Sequence, residues 1–98
     1  MNKQAPQSDT HEKLIVVTGG TGFIGSRCAV ELARRGYRVR VADPVTPGER
    51  GLIFPETIEF VQGTISDARF ARRALEGANT VLHLAANIGA VGYMHERA

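Results

Sequence analysis

Between Val17 and Ser26 the chain reads Val-Thr-Gly-Gly-Thr-Gly-Phe-Ile-Gly-Ser, which sets Gly19, Gly22 and Gly25 in the spacing G-x-x-G-x-x-G. No other feature narrows the fold as far. The run before it, Leu14-Ile15-Val16-Val17, is apolar and mostly β-branched, the pattern of a strand buried on both faces. After it, Phe23 to Arg35 carries helical periodicity. Ile24, Cys28 and Leu32 recur every four residues, with Ala29 and Ala33 alongside. Gly36 supplies the stop, and Arg34 and Arg35 suit the negative helix end. A strand that turns into a helix through glycines leaves the first helical N–H groups open. Where no Cβ intervenes, a pyrophosphate can approach them. Gly25 is expected to let the helix lie close against the sheet.

The remaining chain keeps alternating. Val39 and Val41 alternate with Arg38 and Arg40, which predicts a second strand ending near Asp43. Pro44, Pro47, Gly48, Gly51 and Pro55 then mark a loop. Ile58 to Val61 reads as a third strand. Ser66 is the expected N-cap of a second helix, with Asp67 in its first turn. That helix carries Phe70, Ala71, Ala74 and Leu75 on one face and stops at Gly77. Thr80 to Ala86 reads as a fourth strand. Strands and helices in this order predict an α/β fold, a parallel sheet of about four strands with helices on its faces. Residues 1–12 are polar and read as a flexible leader, and residues 13–98 as one domain.

Composition mainly excludes. At 98 residues and 43% hydrophobic, the chain has room for one globular core. A net charge of +2 is spread thinly, and the pairs Arg34-Arg35 and Arg72-Arg73 read as solvated helix faces. No nucleic-acid patch is indicated. No apolar run reaches membrane-spanning length and the start lacks a signal-peptide stretch, so no membrane partner and a cytoplasmic location are expected. The one cysteine, Cys28, lies on the expected core face of the first helix and reads as inert packing. His83 reads as a hydrogen-bonded core histidine, and no cluster has metal-ligand spacing.

Asp43 stands 18 residues after Gly25, at the end of the second strand. An acid there is the one that holds the adenosine ribose of a dinucleotide, and its charge repels a 2′-phosphate. NAD is therefore favoured over NADP, with Arg38 and Arg40 arguing the other way.

The motif Thr18-Gly19-Gly20-Thr21-Gly22-Phe23-Ile24-Gly25 resembles that of the extended short-chain dehydrogenase/reductases, the NAD-dependent epimerases, dehydratases and relatives that act on sugar nucleotides. Val61-Gln62-Gly63-Thr64-Ile65-Ser66-Asp67 resembles the segment after that family's third strand, although Thr64 stands where the family usually has Asp. Val81-Leu82-His83-Leu84-Ala85-Ala86 resembles its fourth strand. The resemblance covers Lys13 to about Tyr93. It implies a partial doubly wound Rossmann fold in spatial order 3-2-1-4. By the same resemblance Gly19, Thr21, Gly22, Phe23, Ile24 and Gly25 serve the pyrophosphate, and Asp43 the ribose. Thr64 and Ile65 would lie at the adenine. Leu84, Ala85 and Ala86 would border the middle of the cofactor and its nicotinamide ribose. The loop Asn87 to Met94, with Gly89 and Gly92, is similar to a substrate-side loop of GDP-sugar enzymes in the family.

The family's catalytic Tyr-x-x-x-Lys pair does not occur in these residues. Four positions after Tyr37 is Val41, four after Tyr93 is Arg97, and the two lysines, Lys3 and Lys13, precede the glycines. The first expectation is the NAD-binding portion of a nucleotide-sugar epimerase or dehydratase, without the catalytic and substrate-binding parts. The second is a non-catalytic NAD-binding module or regulator. An open sheet edge beside the fourth strand would invite pairing into a homodimer.

Overall fold

In the computed structural model, which describes residues 12–85, strands and helices alternate along the chain. Leu14–Thr18 (β1) leads into the helix Phe23–Arg34 (α1) and the strand Arg38–Asp43 (β2). A 3-10 turn at Gly48–Arg50 precedes Ile58–Gln62 (β3), the helix Ala68–Ala74 (α2) and Thr80–His83 (β4). Every strand pair is parallel and the sheet order is β3-β2-β1-β4, the order expected from the sequence. β1 is an inner strand with all five residues buried, which is why it carries the unbroken apolar run.

Pleating sends successive residues of β2 to opposite faces. Val39 and Val41 join Ile15, Val17 and Ile58 against Ala29 of α1. Ala42 turns the other way, against Phe70 and Ala74 of α2. The two helices therefore cover opposite faces of the sheet. α1 buries Gly25, Ser26 and Ala29, not a stripe headed by Ile24. Ile24 is 63% exposed and Cys28 only half-buried. Small side chains let the helix axis approach the sheet, whereas apolar periodicity picks out large ones.

α2 is capped by Asp67 rather than Ser66. The Asp67 carboxylate accepts the Phe70 N–H at 3.0 Å, while the Ser66 hydroxyl pairs with that of Thr64 at 2.9 Å. A carboxylate three residues before an open N–H is the stronger cap, and its charge suits the positive helix end. The other end of α2 is held by Arg40, whose side chain is 14% exposed. Its guanidinium pairs with Glu59 at 2.9 Å and donates to the carbonyls of Ala74 (2.9 Å) and Glu76 (2.8 Å). Arg40 is thus committed to α2 and does not argue for a 2′-phosphate.

β4 is shorter than expected. It ends at His83, and Ala86 lies outside the described residues. Among the described residues β4 pairs with β1 alone, and Val81 and Leu84 remain partly exposed. No helix among them is long and apolar enough to cross a membrane.

Candidate functional site

Parallel strands put all four carboxyl ends on one edge of the sheet. Gly19 follows β1, Asp43 closes β2, Thr64 and Ile65 follow β3, and Leu84 and Ala85 follow β4. The chain crosses from β3 over to β4 on the far side of β1, which makes the end of β1 a topological switch point. Open α/β sheets bind ligands in that crevice.

The glycine turn is a close-packed knot of backbone. Gly19 has a left-handed φ of +73° and donates to the Ala42 carbonyl at 2.9 Å, tying the turn to β2. A Cβ on Gly19 would lie 2.7 Å from the Ala85 nitrogen and 2.8 Å from the Leu84 carbonyl carbon. Its bare Cα is what lets the chain leaving β4 cross the turn. A Cβ on Gly25 would strike the Gly19 carbonyl oxygen. The approach that Gly25 permits is therefore of helix to turn, not helix to sheet as expected.

Gly22 is the N-cap of α1, with an ordinary φ of −74°, and donates to the Gly19 carbonyl at 3.1 Å. No side chain caps this helix and no acid sits in its first turn. The N–H groups of Phe23, Ile24 and Gly25 have no acceptor within the helix. Phe23 and Ile24 are exposed at the rim, and the Arg27 guanidinium lies over the Phe23 ring at 3.9 Å. Ser26 is buried and turned back to the Phe23 carbonyl at 3.3 Å, so its hydroxyl serves the helix. A concavity of about 180 Å³ opens here between Thr21, Gly22 and Phe23 on one side and Arg50 and Leu52 on the other.

Asp43 is 6% exposed. One carboxylate oxygen accepts the Thr21 N–H at 3.2 Å and the other accepts the Val45 N–H at 2.9 Å. The expected ribose acid is thus bonded directly to the expected phosphate turn. Each oxygen keeps a lone pair for a ligand hydroxyl. The Thr21 hydroxyl is buried and has no partner among the described residues. At β3, Ile65 packs against the cluster of Ala42, Phe70 and Ala74. The Thr64 hydroxyl is engaged by Ser66, accepting its N–H at 3.3 Å. Gly89 and Gly92 lie outside the described residues, as Ala86 does.

Three residues have places in the site that the sequence reading did not give them. Thr18 is 1% exposed, and its hydroxyl accepts the N–H groups of Leu84 (3.1 Å) and Ala85 (3.3 Å). His83 meets the same hydroxyl through Nδ1 at 2.6 Å. It is an exposed residue at the sheet edge, not the core histidine expected. Arg50, on the loop, brings a cation beside the start of α1. At the far end of α1, hydrogen bonds from Arg35 and then Arg34 hold the Glu31 carboxyl below its ordinary range.

These residues fit a dinucleotide. An uncapped helix start, a turn without a side chain at Gly22, and a buried carboxylate beside a hydroxyl with no partner among the described residues are the parts that a pyrophosphate and a ribose require. The fold is of the Rossmann type, and the turn at its switch point has the form in which such folds receive a dinucleotide. Residues 15–98 match the family model for the NAD dependent epimerase/dehydratase family, and the chain belongs to that family. Over 88 residues it is 38% identical to the UDP-glucose 4-epimerase of Neisseria meningitidis, covering 82% of this chain and 26% of that protein. It is 34% identical over 84 residues to a 3 beta-hydroxysteroid dehydrogenase/Delta 5-->4-isomerase of Mycobacterium tuberculosis, covering 80% of this chain and 20% of that one. The Bordetella bronchiseptica enzyme WbmH, solved in complex with NAD+, superposes with a TM-score of 0.68 at 32% identity, over 79% of this chain and 27% of its own. The chain spans about a fifth to a quarter of the length of the relatives it matches.

Proposed function

We propose that this chain forms the part of an NAD site that holds the pyrophosphate and the adenosine ribose, in a protein that acts on a nucleotide sugar by oxidation and reduction. The observation that carries the reading is the hydrogen bond between Asp43 and the Thr21 N–H. It joins the ribose acid and the phosphate turn into one unit. The start of α1 stabilises the pyrophosphate charge through its open N–H groups. Asp43 accepts the ribose hydroxyls and repels a 2′-phosphate. NAD supplies the hydride acceptor when bound, and the residues of this chain bind and orient it.

Calorimetric titration with NAD and NADP tests the reading. Gly22→Val places a branched side chain at the helix start, where a Cβ meets only the Gly19 carbonyl oxygen at 3.3 Å. NAD affinity should fall while the fold persists. Asp43→Ala should weaken NAD by about 10- to 100-fold, the range for losing charge-assisted hydrogen bonds, and narrow the preference over NADP. NAD affinity unchanged in both variants refutes the site.

The nucleotide sugar is supported by the epimerase relative, and the hydroxysteroid dehydrogenase relative supplies the competing substrate class. A binding panel should therefore hold UDP-, GDP- and dTDP-sugars and a 3β-hydroxysteroid. A second reading is a non-catalytic NAD-binding module, since the α1 start and Asp43 hold a dinucleotide without themselves moving a proton. Tight NAD binding with no response to any member of the panel supports that reading.

A further inference from the structure

The Thr18 hydroxyl has one proton and two lone pairs. Two backbone donors converge on it, the N–H groups of Leu84 at 3.1 Å and Ala85 at 3.3 Å. With both lone pairs taken, the hydroxyl proton must go elsewhere, and the oxygen is buried away from water. His83 Nδ1, at 2.6 Å, is the acceptor in place. The reverse arrangement would aim three donors at two lone pairs and leave a buried hydroxyl proton without a partner, which is costly. The proton order is therefore fixed. Backbone donates to Thr18, and Thr18 donates to His83. With Nδ1 as the acceptor the ring is the Nε2–H tautomer, and Nε2 meets no acceptor among the described residues.

The backbone held this way is the stretch that crosses the glycine turn. Leu84 also donates to the Thr18 carbonyl at 3.0 Å, and the Leu84–Ala85 peptide lies against the bare Cα of Gly19. We propose that His83 is a positioning residue of the dinucleotide site: by accepting the Thr18 proton it orients the hydroxyl that clamps Leu84 and Ala85 over the Gly19 turn. The clamp stands on these contacts alone. Its effect on NAD rests on the function proposed above.

Two measurements on the unliganded chain decide the clamp. Nitrogen NMR of the neutral His83 ring should show an unprotonated Nδ1 and a protonated Nε2 as a single tautomer. Thr18→Val should return the ring to a tautomer mixture, and Thr18→Ser should preserve the wild-type signals. Amide exchange at Leu84 and Ala85 should quicken about five- to tenfold in His83→Phe, the loss expected for one hydrogen bond. His83→Asn, whose Oδ1 can take the place of Nδ1 as acceptor, should restore protection. A protonated Nδ1 in the wild type, or His83→Phe exchanging as the wild type does, overturns the proposal. NAD titration then reads the consequence. His83→Phe should bind about five- to tenfold more weakly and His83→Asn within about twofold of wild type. Equal NAD affinity in His83→Phe overturns the positioning role. A wild type that shows the single tautomer yet binds no NAD overturns the function proposed above and leaves the clamp standing.

Discussion

Replacing Gly25 by alanine tests how the helix meets its turn. The residue lies in the first turn of α1, where alanine is intrinsically preferred to glycine by about 1 kcal/mol. On propensity alone the variant should be stabilised. The structure predicts the opposite. The new Cβ would land on the Gly19 carbonyl oxygen and within 2.9 Å of both the Gly19 carbonyl carbon and the Gly20 Cα. All three are backbone atoms, so no rotamer change relieves the contact. Either α1 or the turn must move, and the turn is pinned by the bonds of Gly19 to Ala42 and of Gly22 to Gly19. Overpacking of this kind costs typically about 1–3 kcal/mol, and each strained backbone bond adds about 0.5–1.5 kcal/mol. Offset by the propensity gain, the net loss should be about 1–3 kcal/mol. Gly48→Ala is the control, since a Cβ there meets nothing within 4 Å. It should lie within about 1 kcal/mol of wild type, on the stable side. Urea unfolding followed by circular dichroism reads both variants. A Gly25→Ala midpoint equal to or above that of wild type would refute the reasoning.

Arg40→Met should cost about 1–3 kcal/mol, because it frees two carbonyls at the end of α2 as well as breaking an ion pair. Glu59→Gln should cost at most about 1 kcal/mol, since Glu59 is 54% exposed, and equal losses in the two unfolding curves would count against the clamp on α2. Glu31 titrates below its ordinary range because Arg35 and Arg34 donate to it, so its small contribution is complete above the ordinary carboxylate range. It is lost as pH falls through the lowered value. The stability gap between wild type and Glu31→Gln should shrink on acidification, and a gap independent of pH would contradict this. With NAD supplied, residues 1–98 by themselves should form no NADH from any sugar nucleotide, general base catalysis alone contributing about 10²–10⁴ in rate. Turnover that Asp43→Ala abolishes would reveal a base not recognised in these residues.

The parts legible in the sequence are those fixed by near neighbours. β1, the glycine turn, α1 and β2 form a continuous segment whose apolar period and glycines state its geometry, and Asp43 is found by counting along it. The sequence was misread where shape or distance decides. Ile24 looked like a core position because periodicity weighs hydrophobicity, whereas a helix start pressed on a turn selects Gly25, Ser26 and Ala29 for small volume. Ser66 and Asp67 both qualify as caps, and only the hydrogen bond to Phe70 separates them. Arg40 alternates with valines and weighs in the sequence as a cation arguing for NADP, but Glu59 of β3 and the carbonyls at the end of α2 engage it. Thr18 and His83 lie 65 residues apart, and no local pattern announces their bond.

That separation has a consequence for how the chain reaches its native state. Leu14 pairs with Arg38 across a short crossover, but Thr18 meets His83 only after a loop well over twice as long has closed. Each doubling of loop length adds about 0.6 kcal/mol of entropy cost, so β4 docks most readily once the pairing of β1, β2 and β3 has shortened the loop. The β1-α1-β2 unit can condense while the chain beyond it is still searching. β4 then seals the turn, because its exit strand supplies the Leu84 and Ala85 N–H groups. The turn is therefore completed only when β4 docks, and it loses the Leu84 and Ala85 contacts when the sheet comes apart at its β4 edge.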